Sequence, residues 1–343
     1  MSGKTLKSFP SKPAWESMHN VEYTVSSISD HLHKEIVKLL GIGTIGRIKR
    51  HTKLEEEQLI GHYLYQSKDK NYFLKIENSK KSRQLLEADE ICKKILNEGT
   101  VNVSTIVDGY PKSFINHTKL FVYDYIDSRF ANTSMLDMQN LGKSLTVLHK
   151  SLIKLDNKSI KLRTEEREAY FFNRVYNSES KMALLDEDIR NILQKNKLLF
   201  QQNFGVRDII HGDLNFHNIV FDDNNQKVIF LDFEDTVHSF FTPLMDIAMI
   251  LERYILFRDI SNEQKILLCK DFLLHYTNKI VYKQGYLFNI LKLISVRSIL
   301  ILVGAFFEHD EYNKSEFTKF KKNLLFIEQN KNLIIDIESI FFE

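Results

Sequence analysis

The sequence predicts an α+β protein, on three observations. The first third carries short runs rich in β-branched and aromatic residues, set off by turn residues, which is how strands read. The rest is dominated by apolar residues at helical spacing. A single stretch of that helical region breaks the period: residues 209–235 read I-I-H-G-D-L-N-F-H-N-I-V-F-D-D-N-N-Q-K-V-I-F-L-D-F-E-D. It holds two apolar runs, Ile219-Val220-Phe221 and Val228-Ile229-Phe230-Leu231, around the polar cluster 222–227. Apolar runs of this length about such a turn predict a buried β-hairpin.

The hairpin organises the functional reading. An antiparallel pair brings its outer ends together, so Asp213 and Asn218 before the first strand should converge with Asp232 after the second. Two carboxylates and an amide at one point suit a hard cation such as Mg2+, which takes oxygen ligands and keeps water and substrate phosphate in its shell.

Taken in order, residues 1–20 contain Pro10 and Pro13 without clear periodicity and read as an extended arm. Over 26–40 the residues Ile28, Leu32, Ile36, Leu39 and Leu40 follow helical spacing, with Ser29 or Asp30 as cap. Strands are expected at 43–50, 59–65 and 71–76, then a helix over 82–97 and a further strand over 120–126. Helices follow at 135–152, 165–176 and 184–204. Beyond the hairpin, helices are expected from residue 243 and over 262–278, 287–307 and 316–329. No internal repeat stands out, and composition is biased only toward Ile, Lys and Asn.

Composition narrows the class. A chain of 343 residues is long enough for about two domains. With 43% hydrophobic and 27% charged residues it reads as globular. Lys and Arg number 47 against 45 Asp and Glu, a net charge of +2, which gives no electrostatic case for nucleic acid as a main partner. Cys92 and Cys269 each lie in an apolar helical pattern and read as reduced, buried thiols. Residues 1–15 are basic without an apolar core, unlike a signal peptide. The longest apolar stretch, 299–307, is too short to span a bilayer and reads as a core helix. These points predict a cytoplasmic protein with no membrane partner, a monomer or homodimer.

The motifs carry a resemblance. Asp213 and Asn218 are five residues apart, as in the kinase catalytic loop H-R-D-x-x-x-x-N, and Asp232 stands where a kinase has the Asp of D-F-G. Here the motifs read His211-Gly212-Asp213 and Asp232-Phe233-Glu234. The pairing resembles the aminoglycoside phosphotransferase and choline kinase superfamily, the small-molecule relatives of protein kinases. Lys75, in Y-F-L-K-I, resembles the strand lysine of that fold, and Glu87, in E-A-D-E-I-C-K-K-I-L, its helix partner; Glu90 is the alternative. Leu148-His149 resembles the pair ending the first C-lobe helix, and Asp246, in D-I-A, the aspartate that supports the catalytic loop.

The resemblance implies a two-lobed protein-kinase-like fold, with an N-lobe over 1–125 and a C-lobe over 126–343. It implies ATP or GTP as donor, Mg2+ as cofactor, and a small hydroxylated acceptor such as an aminoglycoside or other antibiotic, an amino alcohol or a sugar. Lys75, held by Glu87, would take the nucleotide phosphates, and the backbone around Asp124 and Ile126 the purine. Asn218 and Asp232 would bind the metal. Asp213 would be the catalytic base, with His211 and Asp246 in support. Glu234, Asp235, Glu252 and Glu308 are candidate contacts for a cationic acceptor, with a second metal as the alternative place for Glu234; Arg253 and Arg297 would suit an anionic one. The phosphate-covering loop stays unassigned. Gly41, Gly43 and Gly46 lie early, and 51–58 contains no Gly and three Glu. A protein kinase, or a catalytically silent nucleotide-binding protein of the same fold, are the alternatives. The missing Arg of H-R-D and missing A-P-E disfavour the first, and the intact Asp213, Asn218 and Asp232 disfavour the second.

Overall fold

The computed structural model describes residues 23–340 other than 27, 51–58, 100, 133, 223–226, 280–281 and 310–312. The expected N-terminal arm, the loop at 51–58 and most of the hairpin turn fall outside the described residues. In chain order the elements begin with β1 (Tyr23–Ser26), α1 (Asp30–Leu40), β2 (Thr44–Arg50), β3 (Gly61–Gln66), β4 (Asn71–Glu77) and α2 (Ser79–Asn97). Then come β5 (Asn102–Val103), β6 (Lys112–Ser113), β7 (Lys119–Asp124), α3 (Met135–Ile153), α4 (Lys158–Phe171), α5 (Glu179–Met182) and α6 (Glu187–Lys195). The last are β8 (Asp208–Ile209), β9 (Ile219–Asp222), β10 (Lys227–Phe230), β11 (Phe240–Phe241), α7 (Leu244–Ile250), α8 (Asn262–His275), α9 (Tyr286–His309), α10 (Lys314–Gln329) and α11 (Lys331–Ser339).

Two compact units form, one from Met1–Asn132 with His217–Glu234, the other from Thr133–Phe216 with Asp235–Glu343. The division differs from a single cut after residue 125. β10 pairs in parallel with β5 as well as antiparallel with β9, which ties the hairpin to the first unit.

The first unit is built on a six-stranded sheet in the order β1-β2-β3-β4-β7-β6, all antiparallel. Period two along β4 sends Leu74 and Ile76 to one face, where they meet Leu32 and Ile36 of α1 with Tyr63, Tyr65, Leu120 and Val122. Lys75 points to the other face beside its cross-strand partners Phe121 and His62. There Phe121 packs with Leu85 of α2 and Ile106. Helix α1 starts where Ser29 caps it, accepting from the Leu32 N–H at 3.4 Å. Helix α2 is capped by Asn78, which accepts from the Lys81 N–H at 2.9 Å.

The second unit is mainly helical. α3 packs on α8, and α9 packs against α7, α10 and α11. Its core joins Val175, Met182, Leu185, Ile189 and Leu193 to Val296, Ile299, Leu300 and Val303 of α9 and to Phe317 and Leu324 of α10. The expected helix over 184–204 is broken: α6 ends at Lys195 and a 3-10 turn follows over Lys197–Gln201. α9 is also longer than its apolar stretch suggests. By length and composition it is long and apolar enough to cross a membrane, which corrects the expectation drawn from 299–307. Half of its apolar 18-residue window is buried inside the unit, and it carries Arg297 at mid-length and gives Val296, Ile299, Leu300 and Val303 to the core. Both cysteines are free and buried, and burial pushes both thiols up.

Candidate active site

In the first unit, Lys75 is anchored by the alternation of β4 and left 8% exposed. Its ammonium donates to Glu234 Oε1 at 2.9 Å and to Asp232 Oδ1 at 3.3 Å, and lies 5.9 Å from the Tyr123 ring centroid. Burial alone would lower the Lys75 pKa. The Asp232 and Glu234 charges outweigh it and hold the ammonium above its ordinary value. Burial works to raise the Asp232 carboxyl, and Lys75 wins, holding it below its ordinary value. His62, across the strand from Lys75, is pushed down to about 4 by burial and by the Lys75 charge, so it is neutral at pH 7. Glu234 is further engaged by the Lys81 ammonium through Oε2, and its backbone carbonyl accepts from Gln84 Nε2 at 2.8 Å.

Asp232 sits at φ +61°, the left-handed region that side chains enter sparingly and that collects at functional positions. The hairpin explains how Asn218 is set beside it. The Leu231 N–H donates to the Asn218 carbonyl at 2.9 Å, closing the ladder one residue before Asp232. Asn218 itself is 5% exposed.

The expected Lys75–Glu87 pair does not form. Glu87 accepts from Arg83 Nε at 3.3 Å on its own helix, and the alternative, Glu90, is exposed. The reason is helical phase. α2 directs Leu85, Ala88, Ile91, Cys92 and Ile95 inward. The acid it buries is Asp89, which accepts from the Ile106 N–H at 2.7 Å and pairs with Lys93 at 2.8 Å. At the end of β7, the Asp124 carboxylate pairs with Lys70 at 2.7 Å and the Tyr125 N–H donates to the Asn71 carbonyl. The Ile126 carbonyl accepts from Ser128 Oγ at 3.2 Å.

In the second unit the loop carrying Asp213 is fixed by one buried carboxylate. Asp246, at the start of α7 and fully buried, accepts the N–H of His211 at 2.8 Å and that of Gly212 at 2.9 Å. The same carboxylate meets His149 Nε2 at 3.0 Å, and His149 Nδ1 lies 2.8 Å from the Tyr276 hydroxyl. Gly212 is required here. Its φ is +85°, and a Cβ on it would lie 2.2 Å from Ser239 Oγ. Thr236 Oγ1 donates to the His211 carbonyl at 3.0 Å, and the Asp213 N–H donates to His211 Nδ1 at 3.3 Å. That last bond makes Nδ1 the acceptor and, in the neutral ring, leaves the proton on Nε2. Asp213 itself is half-buried, with Asn215 Nδ2 donating to its Oδ2 at 2.9 Å. The Tyr254 hydroxyl in turn holds the Asn215 carbonyl at 3.1 Å.

The four acids expected at a cationic acceptor fare differently. Glu234 is 9% exposed and already holds two lysines, so its place is with Lys75. Asp235 is paired with His238 at 2.8 Å and Arg167 at 3.7 Å. Against the upward push of burial, these partners keep its carboxyl well below the carboxylate range. Glu308 is exposed, 3.9 Å from Arg174. Glu252 is corrected outright: it is fully buried in the π-helical turn that continues α7 over Leu251–Leu256. Arg253 Nε lies 3.0 Å from one of its oxygens without forming a hydrogen bond, and neither oxygen has a donor.

Burial therefore raises the Glu252 carboxyl. A carboxyl raised in the fold adds stability below its unfolded value and loses it as the pH rises through the folded one. Glu252→Gln is accordingly expected to stabilise the protein at pH 8 by roughly 1 kcal/mol, about 2–4 °C. The gain should fade toward pH 4, as thermal unfolding at the two pH values will show.

Several of these partners lie outside the sequence reading. Glu234 as the mate of Lys75, Lys81, Asn215, Tyr254 and the His149–Asp246 bond are all additions. Only His149 carried a signal, a histidine inside an apolar helical stripe.

No match is found among curated protein sequences. Among solved structures the fold is shared with amicoumacin kinase hAmiN, in complex with AMP-PNP, Ca2+ and Ami. That likeness has a TM-score of 0.56 and 17% identity, over 89% of this chain and 90% of that one. It is shared too with a GDP complex of an aminoglycoside 2'-phosphotransferase-IIIa, at TM-score 0.59 and 13% identity over 88% and 98%. Choline kinase LicA from Streptococcus pneumoniae gives 0.52 and 16% over 86% and 98%. The model of the phosphotransferase enzyme family, APH, matches residues 62–277, more than half of the chain, and the chain belongs to that family.

Proposed function

We propose that the protein transfers the γ-phosphate of ATP or GTP to a hydroxyl of a small molecule. The observation that carries this reading is the buried Lys75 ammonium held by Asp232 and Glu234. Such a cation, fixed by carboxylates of a second chain segment, is what phosphoryl transfer needs at the phosphates.

In this reading Lys75 binds the nucleotide phosphates, and Glu234, itself held by Lys81, keeps it in place. Asp213 orients the acceptor hydroxyl. The hydroxyl oxygen bonds to the γ-phosphorus as the bond to the β–γ bridging oxygen breaks, and the hydroxyl proton passes to Asp213. Asp246 holds the loop through its two backbone bonds, and the Asn215 amide fixes the Asp213 carboxylate. The oxygen donors of Asn218 and Asp232 fit a hard cation, and Asp232 already has a positive charge 3.3 Å away in Lys75. A divalent cation, Mg2+ in this reading, supplies neutralisation of phosphate charge when bound.

The reading predicts that Mg2+ with ATP or GTP raises the unfolding temperature. Nucleotide at a hundred times its Kd adds about 2.7 kcal/mol. Lys75→Met should remove most of that gain while leaving the unliganded protein folded. A melting curve indifferent to both nucleotides would contradict the proposal.

A further inference from the structure

The acceptor's charge can be argued from the second unit alone, resting on the phosphotransferase reading. The acids of the second unit expected at a cationic acceptor are engaged or hidden. Asp235 serves His238 and Arg167, Glu252 is sealed in the core, and Glu308 sits beside Arg174. The guanidinium groups stand otherwise. Arg297, at mid-length in α9, is half-buried and lies on the Phe241 ring, 4.8 Å from its centroid. It forms no hydrogen bond or ion pair with any described residue. Arg167 of α4 has one carboxylate within reach, Asp235 at 3.7 Å, which it shares with His238. The neighbouring Arg207 is engaged by Glu168 at 3.3 Å and by the Phe240 carbonyl.

Arg297 and Arg167 both lie by the catalytic loop. The Asp235 Cβ is 3.8 Å from where a Cβ on Gly212 would stand, and Gly212 adjoins Asp213. Burial first, then the Arg167 charge, lowers Arg297 to about 10, and the Asp213 carboxylate is among the charges that act on it. Burial lowers Arg167 likewise. The two guanidinium groups repel one another at a partly desolvated place; the Asp235, Glu168 and Asp213 carboxylates act on Arg297 from a distance, and none of them forms an ion pair with it, so its N–H donors have no carboxylate partner among the described residues. A planar fork of N–H donors answers to a carboxylate or phosphate, two oxygens at a time.

We propose that the hydroxyl acceptor carries an anionic group, a carboxylate or a phosphate, received by Arg297 with Arg167 beside it.

Matched acceptors test this: glycerol, glycerate and glycerol 3-phosphate; glucose, gluconate and glucose 6-phosphate; 3-aminopropanol and homoserine. The members of a set that carry a carboxylate or phosphate should be used with the higher kcat/KM, and whether glycerate or glycerol 3-phosphate leads identifies the anion. Arg297→Gln should raise the KM for that acceptor by about tenfold or more with kcat little changed, and Arg297→Lys by less. Preference for the member that lacks a carboxylate or phosphate, or an unchanged KM in a folded Arg297→Gln, overturns the proposal. Calorimetry decides it independently of turnover. Inorganic phosphate titrated into protein saturated with Mg2+ and AMP-PNP should bind, and bind about tenfold or more weakly in Arg297→Gln. Equal binding, or none in wild type, overturns it. If AMP-PNP itself gives no heat, the phosphotransferase reading has failed separately.

Discussion

Asp213→Asn is expected to slow phosphoryl transfer by about 10²- to 10⁴-fold, the range a positioned general base contributes. The substitution keeps the shape of the side chain and removes its charge and basicity. The loop should not move, because its anchors lie elsewhere. Asp246 holds the His211 and Gly212 N–H groups, and Thr236 holds the His211 carbonyl. Nucleotide affinity should stay within about a factor of two, since phosphate binding is assigned to Lys75. The loss should therefore fall on kcat. Initial rates and calorimetric nucleotide titration of the same preparation read the two effects separately. A variant that turns over like wild type would remove Asp213 from the chemistry, and one that loses nucleotide binding would give it a different role.

Asp246→Ala is expected to be the most damaging single change to the second unit, lowering stability by about 3–5 kcal/mol. Three groups would lose their acceptor at once: the His211 N–H, the Gly212 N–H and His149 Nε2. All three residues are buried, and water could not replace the carboxylate without opening the packing. Asp246→Asn keeps one carbonyl oxygen and should cost about half as much or less. Denaturant titration would show the difference in midpoint with little change in slope. The rate of transfer should fall as well, because Gly212 at φ +85° keeps its turn through that bond. Equal midpoints for wild type and Asp246→Ala would mean that the loop is held by something other than this carboxylate.

Local pattern made much of this legible. The hairpin follows from two apolar runs and a polar turn, and its strands fall within a residue or two of their expected limits at Ile219–Asp222 and Lys227–Phe230. The β-rich run 71–76 marked the strand of Lys75, and the family resemblance, not local pattern, marked Asp246 in D-I-A as support of the loop. What stayed hidden depends on contacts distant in sequence. Lys75 and Glu234 are 159 residues apart, and no periodicity selects Glu234 over Glu87, an acid on the next helix. Two-residue strands such as β5 and β8 are too short to leave a pattern, and they are what ties the hairpin into its sheet and Ile209 to Phe240. Glu252 reads as a candidate acceptor contact, and it lies fully buried in the π-helical turn over Leu251–Leu256. Arg297 is legible only as a cation in a helical stretch; that it lies on the Phe241 ring with no ion pair to a described residue depends on packing distant in sequence.

The measurement that bears most directly on the account is the fate of the γ-phosphate. ATP or GTP labelled at that position is incubated with Mg2+ and the wild-type protein. The acceptors are the matched anionic and neutral alcohols, together with aminoglycosides, macrolides, choline and thiosugars. The account predicts label recovered on an alcohol oxygen, dependent on Mg2+ and reduced to near background in Asp213→Asn. Label that stays on the nucleotide with every acceptor, or that reaches product equally with the variant, would contradict it.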